Sequence, residues 1–190
     1  SVGMFASGGQ AAMLRGPMVA NVVKQFLSQV EWGELDYLVI DYPPGTGDIQ
    51  LTISQTANVS GALLVTTPQE VALLDVRKAV QMFKKLNVPV LGVLETMSYF
   101  QPPGSEERYH IFGNGGGEKL AREYGLAFLG GLPIDPKIAS GGDSAAPFVD
   151  AQPDSEAATV MHSCCDRVVR QLAMMRAQAK GLAEFQLVWK

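Results

Sequence analysis

The chain has 190 residues, of which 47% are hydrophobic and 18% are charged, which is the composition of a folded globular domain and excludes a disordered segment. Its net charge of -4 gives none of the basic surface that attracts nucleic acid or anionic lipid, so neither is an expected partner. No apolar run approaches the roughly 18 residues that cross a bilayer, so no membrane span is predicted.

Helices and strands alternate along the chain. A helix is predicted from Pro17 to Val30, because proline is tolerated in a first turn and apolar residues then recur at helical spacing. The first strand is predicted at 37–40, and its unbroken apolar character indicates burial on both faces, as in a parallel sheet. The remaining predictions are a second buried strand at 61–67, a third and a fourth strand at 88–95 and 128–132, helices at 50–57, 71–86, 118–124 and 155–180, a Pro- and Gly-rich insertion at 99–117, and mostly loop at 133–153.

This alternation predicts βαβ units with right-handed crossovers, and therefore a doubly wound parallel α/β sheet with helices on both faces. No boundary is visible before the last ten residues, so residues 1–180 are predicted to form one domain portion. Residues 181–190 are interpreted as a linker or the start of a further C-terminal domain, because 185–189 has the pattern of a strand without a partner.

The two cysteines, Cys164 and Cys165, are neighbours on the last predicted helix. Adjacent side chains on a helix point about 100° apart, so the pair is poorly placed to hold one metal ion. We expect ordinary thiols, and the low cysteine content fits a reducing compartment.

The most informative stretch is DYPPGTGD at 41–48, which follows the first predicted strand. Ligands of open α/β sheets lie outside the carboxyl ends of strands, and Asp41 falls at such an end, where an acid can hold Mg²⁺-bound water or orient an attacking water. Gly45 and Gly47 allow the backbone to approach a ligand closely, and Asp48 is expected to cap the next helix. The alternative is a stiff Pro-Gly turn with a helix cap and no ligand.

Six stretches carry a resemblance to a known family. They are RGPM at 15–18, WGELDYLVIDYPPGTGD at 32–48, TTPQEVALLDVRKA at 66–79, NVPVLGVLETMSYF at 87–100, HIFGNGGGEKLA at 110–121 and LGGLPIDPKI at 129–138. Together they resemble, in the same order and over about residues 1–175, the Mrp family of P-loop ATPases, which carry iron–sulfur clusters and are related to MinD and the nitrogenase iron protein. The resemblance implies a P-loop NTPase fold of the SIMIBI type.

The resemblance also implies roles for individual residues. The D-x-P-P-G-T-G-D string corresponds to the switch II segment, so Asp41 would be the catalytic and metal-binding acid, serving Mg²⁺ and water. Residues 95–98 would lie near adenine, and 133–135 would close the other side of the base. The implied nucleotide-binding residues are Pro44, Gly45, Thr46, Gly47, Asp48, Glu95, Thr96, Pro133 and Asp135.

The first departure from the family is the missing Walker A loop. No G-x-x-x-x-G-K-[ST] occurs in the chain, and in the family this loop, the first strand and the switch I acid would lie upstream of Ser1. GNGGGEK at 113–119 does not match, because no Ser or Thr follows Lys119, and it is interpreted as a glycine-rich turn into a helix. We therefore expect ATPase activity of the intact protein, but weak ATP binding and essentially no hydrolysis by this chain alone.

The second departure is the absence of thiols at 101–108, QPPGSEER, where many family members carry C-x-x-C. His110 is interpreted as a solvated loop histidine. ASGGDSAAPFV at 139–149 suits the branch of the family that lacks the C-x-x-C, so any [4Fe–4S] cluster of the intact protein would take its ligands from outside this chain. In addition, Thr96 replaces the usual asparagine, which puts base selectivity in doubt.

The resemblance implies that ATP with Mg²⁺ controls a homodimer that carries a cluster and transfers it to apoprotein clients, in the cytoplasm or in an organelle such as the mitochondrion or plastid. The alternatives are a MinD-like ATPase that binds partners without a cluster, and a nucleotide-free scaffold. Asp75, Arg77 and Lys78 are either part of the dimer interface or solvated charges.

Overall fold

The computed structural model describes residues 16–43 and 47–184, and the side chains of all of these except 16, 17, 48 and 179–184. The chain divides into two compact units, one up to Val59 and one from Ser60. Within the described part of the chain, no helix combines the length and the apolar composition that a bilayer crossing requires.

The first unit contains two helices that pack on each other, α1 (Gly16–Gln29) and α2 (Asp48–Thr56). Both confirm helices predicted from the sequence. The strand predicted at 37–40 is wrong: this segment is irregular, and Val39 is 90% exposed. Apolar composition expresses a preference for burial, but a strand forms only when its amides and carbonyls pair with a neighbour. No described segment pairs with residues 37–40.

The second unit is built on a parallel sheet. The described strands, β1 (Ala62–Thr66), β2 (Val90–Tyr99) and β3 (Phe128–Pro133), are arranged in the order β1-β2-β3. They confirm three of the predicted strands, although β2 continues beyond the predicted end. The connections contain α3 (Glu70–Lys85) and α4 (Gly116–Tyr124), so each pair of strands is joined by a βαβ crossover.

Helices cover both faces of this sheet, as predicted. On one face, Leu94, Leu129 and Leu132 form a core cluster with Cys164 of α7 (Glu156–Glu184). On the opposite face, the side chain of Glu95 meets Gly117 of α4, and α3 packs beside α4. Adjacent strand residues point to opposite faces, so Leu94 and Glu95 mark the two layers.

The strand at 61–67, which was predicted to be buried, is buried on one face only. Ala62, Leu64 and Thr66 are buried, whereas Leu63 and Val65 on the other face are exposed. The strand is therefore apolar on both faces, although within the described part of the chain one of these faces is exposed to solvent. The reason lies in the helix packing: α3 packs against β1, whereas α7, on the other face of the sheet, packs against β2 and β3.

The region predicted as mostly loop, 133–153, contains two helices, α5 (Pro136–Asp143) and α6 (Phe148–Ala151). Asp135 caps α5 and Pro136 occupies its first turn, which are ordinary helix-start signals. The sequence did not predict α5, because Gly141 and Gly142 have a low helix propensity. A side chain at Gly141 would come within 2.8 Å of the Ala146 carbonyl oxygen, so glycine is needed where the chain folds back.

The insertion after β2 is confirmed as largely irregular, with one antiparallel bridge between Phe100 and Tyr109. Residues 181–184 continue α7. The strand predicted at 185–189 lies outside the described residues.

Candidate functional site

The carboxyl ends of the three parallel strands lie at one rim of the sheet. Glu95 of β2 is paired with Thr66 of β1 and with Gly131 of β3. Further along, Tyr99 is paired with Pro133, and the Ile134 amide donates to the Tyr99 carbonyl over 2.7 Å. The structure thus brings the predicted residues Glu95, Thr96, Pro133 and Asp135 to the same rim, where ligands of such sheets bind.

β2 bulges outward at this rim. Between the pairs formed by Glu95 and Tyr99, three residues of β2 lie opposite the single residue Leu132 of β3. Met97, at the centre of these three, has a φ of 54° and is 45% exposed. Thr96 beside it is half-buried. A bulge of this kind redirects side chains and commonly lies next to a functional site.

The Glu95 carboxyl group points into the protein. Its side chain is 1% exposed, the Ser98 hydroxyl donates to its Oε1 over 2.5 Å, and the Gly117 amide donates to its Oε2 over 2.6 Å. Gly117 lies in the first turn of α4, where the helix dipole favours a negative partner. The carboxyl group that the resemblance placed near adenine is therefore engaged in bonds to the protein itself.

Two glycines make room for this arrangement. A side chain at Gly117 would come within 3.0 Å of the Glu95 Cβ atom, and one at Gly131 would come within 2.7 Å of the Ser98 Oγ atom. The absence of a Cβ atom at these positions allows α4 and β3 to approach Glu95 and Ser98 closely.

The GNGGGEK stretch is a turn that opens α4, as predicted. Gly115 is the N-cap with a φ of 67°, and a side chain at Gly116 would come within 2.4 Å of the Pro68 carbonyl oxygen. The glycines thus serve close packing, and the Gly117 amide is already bonded to Glu95. Lys119 forms an ion pair with Glu70 at 3.4 Å.

Pro133 and Asp135 form the turn from β3 into α5. The Asp135 Oδ1 atom accepts a hydrogen bond of 2.8 Å from the Lys137 amide. Asp135 is therefore the cap of α5, and its side chain is oriented by that helix.

The predicted phosphate-side residues lie in the first unit. Asp41 is exposed, and Pro44, Gly45 and Thr46 lie outside the described residues. Gly47, not Asp48, is the N-cap of α2, so the predicted capping role of Asp48 is wrong. The helix begins one residue earlier than a cap at Asp48 would require, because Gly47 adopts the extended conformation of an N-cap residue.

Two polar residues of α2 fix the start of this loop, and the sequence reasoning missed both. The buried Gln50 side chain donates to the Pro43 carbonyl over 2.9 Å, and the Ser54 and Tyr42 hydroxyls lie 3.1 Å apart. Polar residues in the first turns of the following helix were the available signal. The exposed Asp41 carboxylate is an oxygen donor of the kind that Mg²⁺ binds directly or through water.

At the end of the thiol-free segment 101–108, the Arg108 side chain forms a clamp with Glu156 and Tyr99. Arg108 pairs with Glu156 of α7 at 2.6 Å, stands 4.3 Å above the centre of the Tyr99 ring, and donates to the Gln101 side chain over 3.2 Å. Burial, helped by a hydrogen bond to Glu156, raises the pKa of Tyr99 to about 12. The clamp lines an open cavity of about 380 Å³.

His110 is exposed in the loop, as predicted, and its ring also has partners. Its Nδ1 atom lies 3.0 Å from the Ser98 carbonyl oxygen, and its ring meets the Tyr99 ring edge-on. It therefore ties the end of the insertion to β2.

The described residues do not fit an iron–sulfur cluster. Cys164 is buried in the core and Cys165 is exposed, and burial raises the pKa of the Cys164 thiol. Among residues 16–43 and 47–184, no three His, Cys, Asp or Glu side chains converge as a metal-binding group.

Comparison with known proteins gives a family match and named relatives. The family described as ParA, NUBPL iron-transfer P-loop NTPase, matches residues 1–169. An iron–sulfur cluster carrier protein from Deinococcus radiodurans is 46% identical over 174 residues, covering 92% of this chain and 49% of the relative. The chloroplastic Fe-S cluster assembly factor HCF101 from Arabidopsis thaliana is 48% identical over 174 residues, covering 92% and 32%. The iron–sulfur cluster transfer protein NUBPL from Mus musculus is 44% identical over 172 residues, covering 90% and 54%.

The chain thus spans about half the length of most of these relatives and about a third of the plant protein. Solved structures agree with the fold. A nucleotide-binding protein in complex with ADP from Archaeoglobus fulgidus superposes with a TM-score of 0.61 at 43% identity, covering 67% of this chain and 53% of that one. The cell division ATPase MinD from Pyrococcus furiosus superposes with a TM-score of 0.58 at 22% identity, covering 80% and 57%, and shows the α/β fold alone.

Proposed function

The chain belongs to the NUBPL iron-transfer P-loop NTPase family, and on that premise we propose that it is part of an ATP-binding protein that carries iron–sulfur clusters to apoproteins. The observation that carries the proposal is the family match over residues 1–169, together with relatives named as cluster carriers, assembly factors or transfer proteins at 44–48% identity.

The nucleotide is proposed to bind through two groups of residues. Asp41 and the 44–48 segment would meet Mg²⁺ and the phosphates, while Thr96, Pro133 and Asp135 would surround the base. The rim formed by β2 and β3 supports the second group. Support for the nucleotide also comes from the similar protein from Archaeoglobus fulgidus, which was solved in complex with ADP.

Bound Mg²⁺ would supply charge stabilisation for phosphoryl transfer. The residues of this chain would provide less: Asp41 would orient a water molecule, and Gln50 and Ser54 would hold the loop that begins at Asp41. A Walker A lysine and hydroxyl normally supply much of the remaining charge stabilisation, and the sequence of this chain has no such motif.

We therefore propose that these 190 residues alone bind ATP weakly and hydrolyse essentially none. The test compares ATP binding by calorimetry, and phosphate release, for this chain and for the complete natural protein that contains it. Strong binding and turnover are expected of the complete protein only. Measurable turnover by the purified 190-residue chain would refute this part of the proposal.

The cluster is the cargo in this proposal, and its ligands are proposed to lie outside segment 101–108. Homodimerisation, apoprotein clients, and a cytoplasmic or organellar location are proposed with it; the word chloroplastic in the name of one relative supports the organellar case. Anaerobic reconstitution of the complete protein with iron and sulfide, followed by transfer to an apo-ferredoxin, is the direct test.

A second candidate is an ATPase that binds partners without carrying a cluster. The observation that favours it is the 101–108 segment, which contains no cysteine and is held to α7 by Arg108. If the complete protein takes up no cluster yet binds a partner in an ATP-dependent manner, this second candidate replaces the first.

A further inference from the structure

Met97 has an unusual backbone conformation for its residue type and position. The described non-glycine residues with positive φ are Asn87, Met97 and Ala145, each with a φ of 54°. Asn87 follows the end of α3 and Ala145 follows α5, whereas Met97 lies within β2. A left-handed conformation is unfavourable for a side chain such as methionine, so the surrounding structure must hold it in place.

Bonds on both sides of Met97 hold this conformation. Glu95 is bonded to the Gly117 amide of α4 and to the Ser98 hydroxyl, so the residues before and after the Thr96–Met97 pair are fixed to each other and to α4. Glu95 and Ser98 are buried, whereas Met97 projects into solvent. The structure thus maintains an unfavourable backbone conformation and an exposed apolar side chain at the rim.

The location of the exposed Met97 side chain indicates a role in ligand contact. Met97 lies beyond the end of β1 and beside the turn from β3 into α5, at the carboxyl rim of a parallel sheet. A thioether is flexible and polarisable, and it makes favourable contacts with aromatic rings. A nucleotide base is a flat aromatic ring that gains from such a contact irrespective of its hydrogen-bonding edge.

We infer that Met97 contacts the nucleotide base and that Glu95 is the positioning residue that holds Met97 toward it. The inference rests on the proposed nucleotide function and adds to it the way in which the base is held. It assigns Glu95 an indirect role in place of the direct contact implied by the family resemblance. Because Thr96 cannot offer the paired donor and acceptor of asparagine, contact with the ring provides much of the base affinity, for guanine as well as adenine.

The first test uses Met97→Asn in the complete natural protein. Asparagine accepts the left-handed conformation better than methionine, so the backbone is retained while the apolar contact is lost. We expect the Kd values for ATP and for GTP each to rise about fivefold to tenfold. The Kd for inorganic tripolyphosphate, which has no base, should not change.

Ala145→Asn is the matched control, because it makes the same backbone change at a position assigned no nucleotide contact. It should leave all three affinities unchanged. If Met97→Asn binds ATP as tightly as the wild type, the inference is wrong and the proposed function stands. If the wild-type complete protein binds neither ATP nor GTP, the proposed function fails, and the inference fails with it.

The second test asks whether Glu95 acts through Met97. Glu95→Ala, measured well below its unfolding temperature, should weaken ATP binding and leave tripolyphosphate binding unchanged, and Glu95→Gln should retain most of the ATP affinity. The double variant with Met97→Asn should bind ATP no more weakly than Met97→Asn alone, because residues that act as a unit show non-additive effects. Additive losses, or an equal loss for tripolyphosphate, would overturn the positioning role.

Discussion

Replacing Glu95 with alanine should destabilise the second unit strongly. The substitution removes both oxygens that accept the hydrogen bonds from Ser98 and Gly117, at a position that is 1% exposed. The Gly117 amide is buried and would lose its partner, while the Ser98 hydroxyl can rotate toward another acceptor. An orphaned buried donor costs about 1–3 kcal/mol, and the lost volume in a packed interior adds about 1–2 kcal/mol.

The expected loss is therefore about 3–4 kcal/mol, which corresponds to a fall of roughly 10 °C in the unfolding midpoint of a domain of this size. Glu95→Gln is the matched control, because its amide oxygen can accept from Gly117 while its amide nitrogen donates to the Ser98 hydroxyl. That variant should lose only about 1 kcal/mol. Ser98→Ala removes the hydroxyl that donates to Glu95, while the Glu95 carboxylate keeps its bond to the Gly117 amide. Its loss of stability should lie between those of Glu95→Gln and Glu95→Ala.

Thermal and urea unfolding of the 190-residue chain, followed by far-UV circular dichroism, measures these differences. The order of stability should be wild type, Glu95→Gln, Ser98→Ala and Glu95→Ala. If Glu95→Ala unfolds within a degree or two of the wild type, the bonds of the carboxyl group to Ser98 and Gly117 do not stabilise the second unit. If Glu95→Gln is as unstable as Glu95→Ala, the bond geometry assigned to Gly117 and Ser98 is wrong.

Three further predictions concern other parts of the second unit. Maleimide should modify Cys165 in the native chain and spare Cys164, whose burial raises its pKa; equal labelling rates would show that the α7 core is open. Arg77→Ala should lower the thermal midpoint in dilute salt, because it removes a two-nitrogen contact with Glu123 that links α3 to α4, and the difference should shrink at high salt. A midpoint difference that is independent of salt would contradict this electrostatic origin. Because Tyr99 has a folded pKa raised to about 12, it stabilises the fold fully below the unfolded pKa of about 10 and loses that contribution as the pH rises from 10 to 12. A spectrophotometric titration should show a tyrosine that ionises near pH 12 and disappears in Tyr99→Phe. If Tyr99→Phe instead removes a tyrosine that ionises near the ordinary value of about 10, the burial of Tyr99 is wrong.

The alternation of apolar strands and amphipathic helices was sufficient to predict the parallel sheet of the second unit and its helices on both faces. β1, β2 and β3 each have a compact apolar run bounded by Pro, Gly or charge, and α3 has a regular helical pattern. The six motifs also indicated the family correctly. These features are local in the sequence and require no knowledge of distant contacts.

The features that the sequence did not reveal depend on contacts between distant residues. The apolar run at 37–40 indicated a strand, but no sequence pattern specifies which neighbour pairs with it. The inward direction of Glu95 depends on Gly117, 22 positions later, and the Arg108 clamp depends on Glu156, 48 positions later. A charged residue at the end of a strand can point to solvent or to a helix terminus, and only the fold decides between them.

The family assignment also separates what this chain contributes from what it does not. The second unit provides the rim of β2 and β3 that is proposed to hold the base, and the first unit provides an exposed acid at the start of a loop held by Gln50. Neither cysteine is arranged as a cluster ligand, since Cys164 belongs to the α7 core. We propose on this basis that nucleotide contacts lie within this chain and that the cluster ligands lie outside it.

The most direct measurement is the uptake of iron and acid-labile sulfide by the complete natural protein, anaerobically reconstituted, with the Cys164→Ala/Cys165→Ala variant beside the wild type. The proposal predicts that both proteins take up a cluster in equal amounts and transfer it to an apo-ferredoxin. No uptake by the wild type would contradict the carrier function, and uptake lost only in the double variant would contradict the assignment of the cluster ligands.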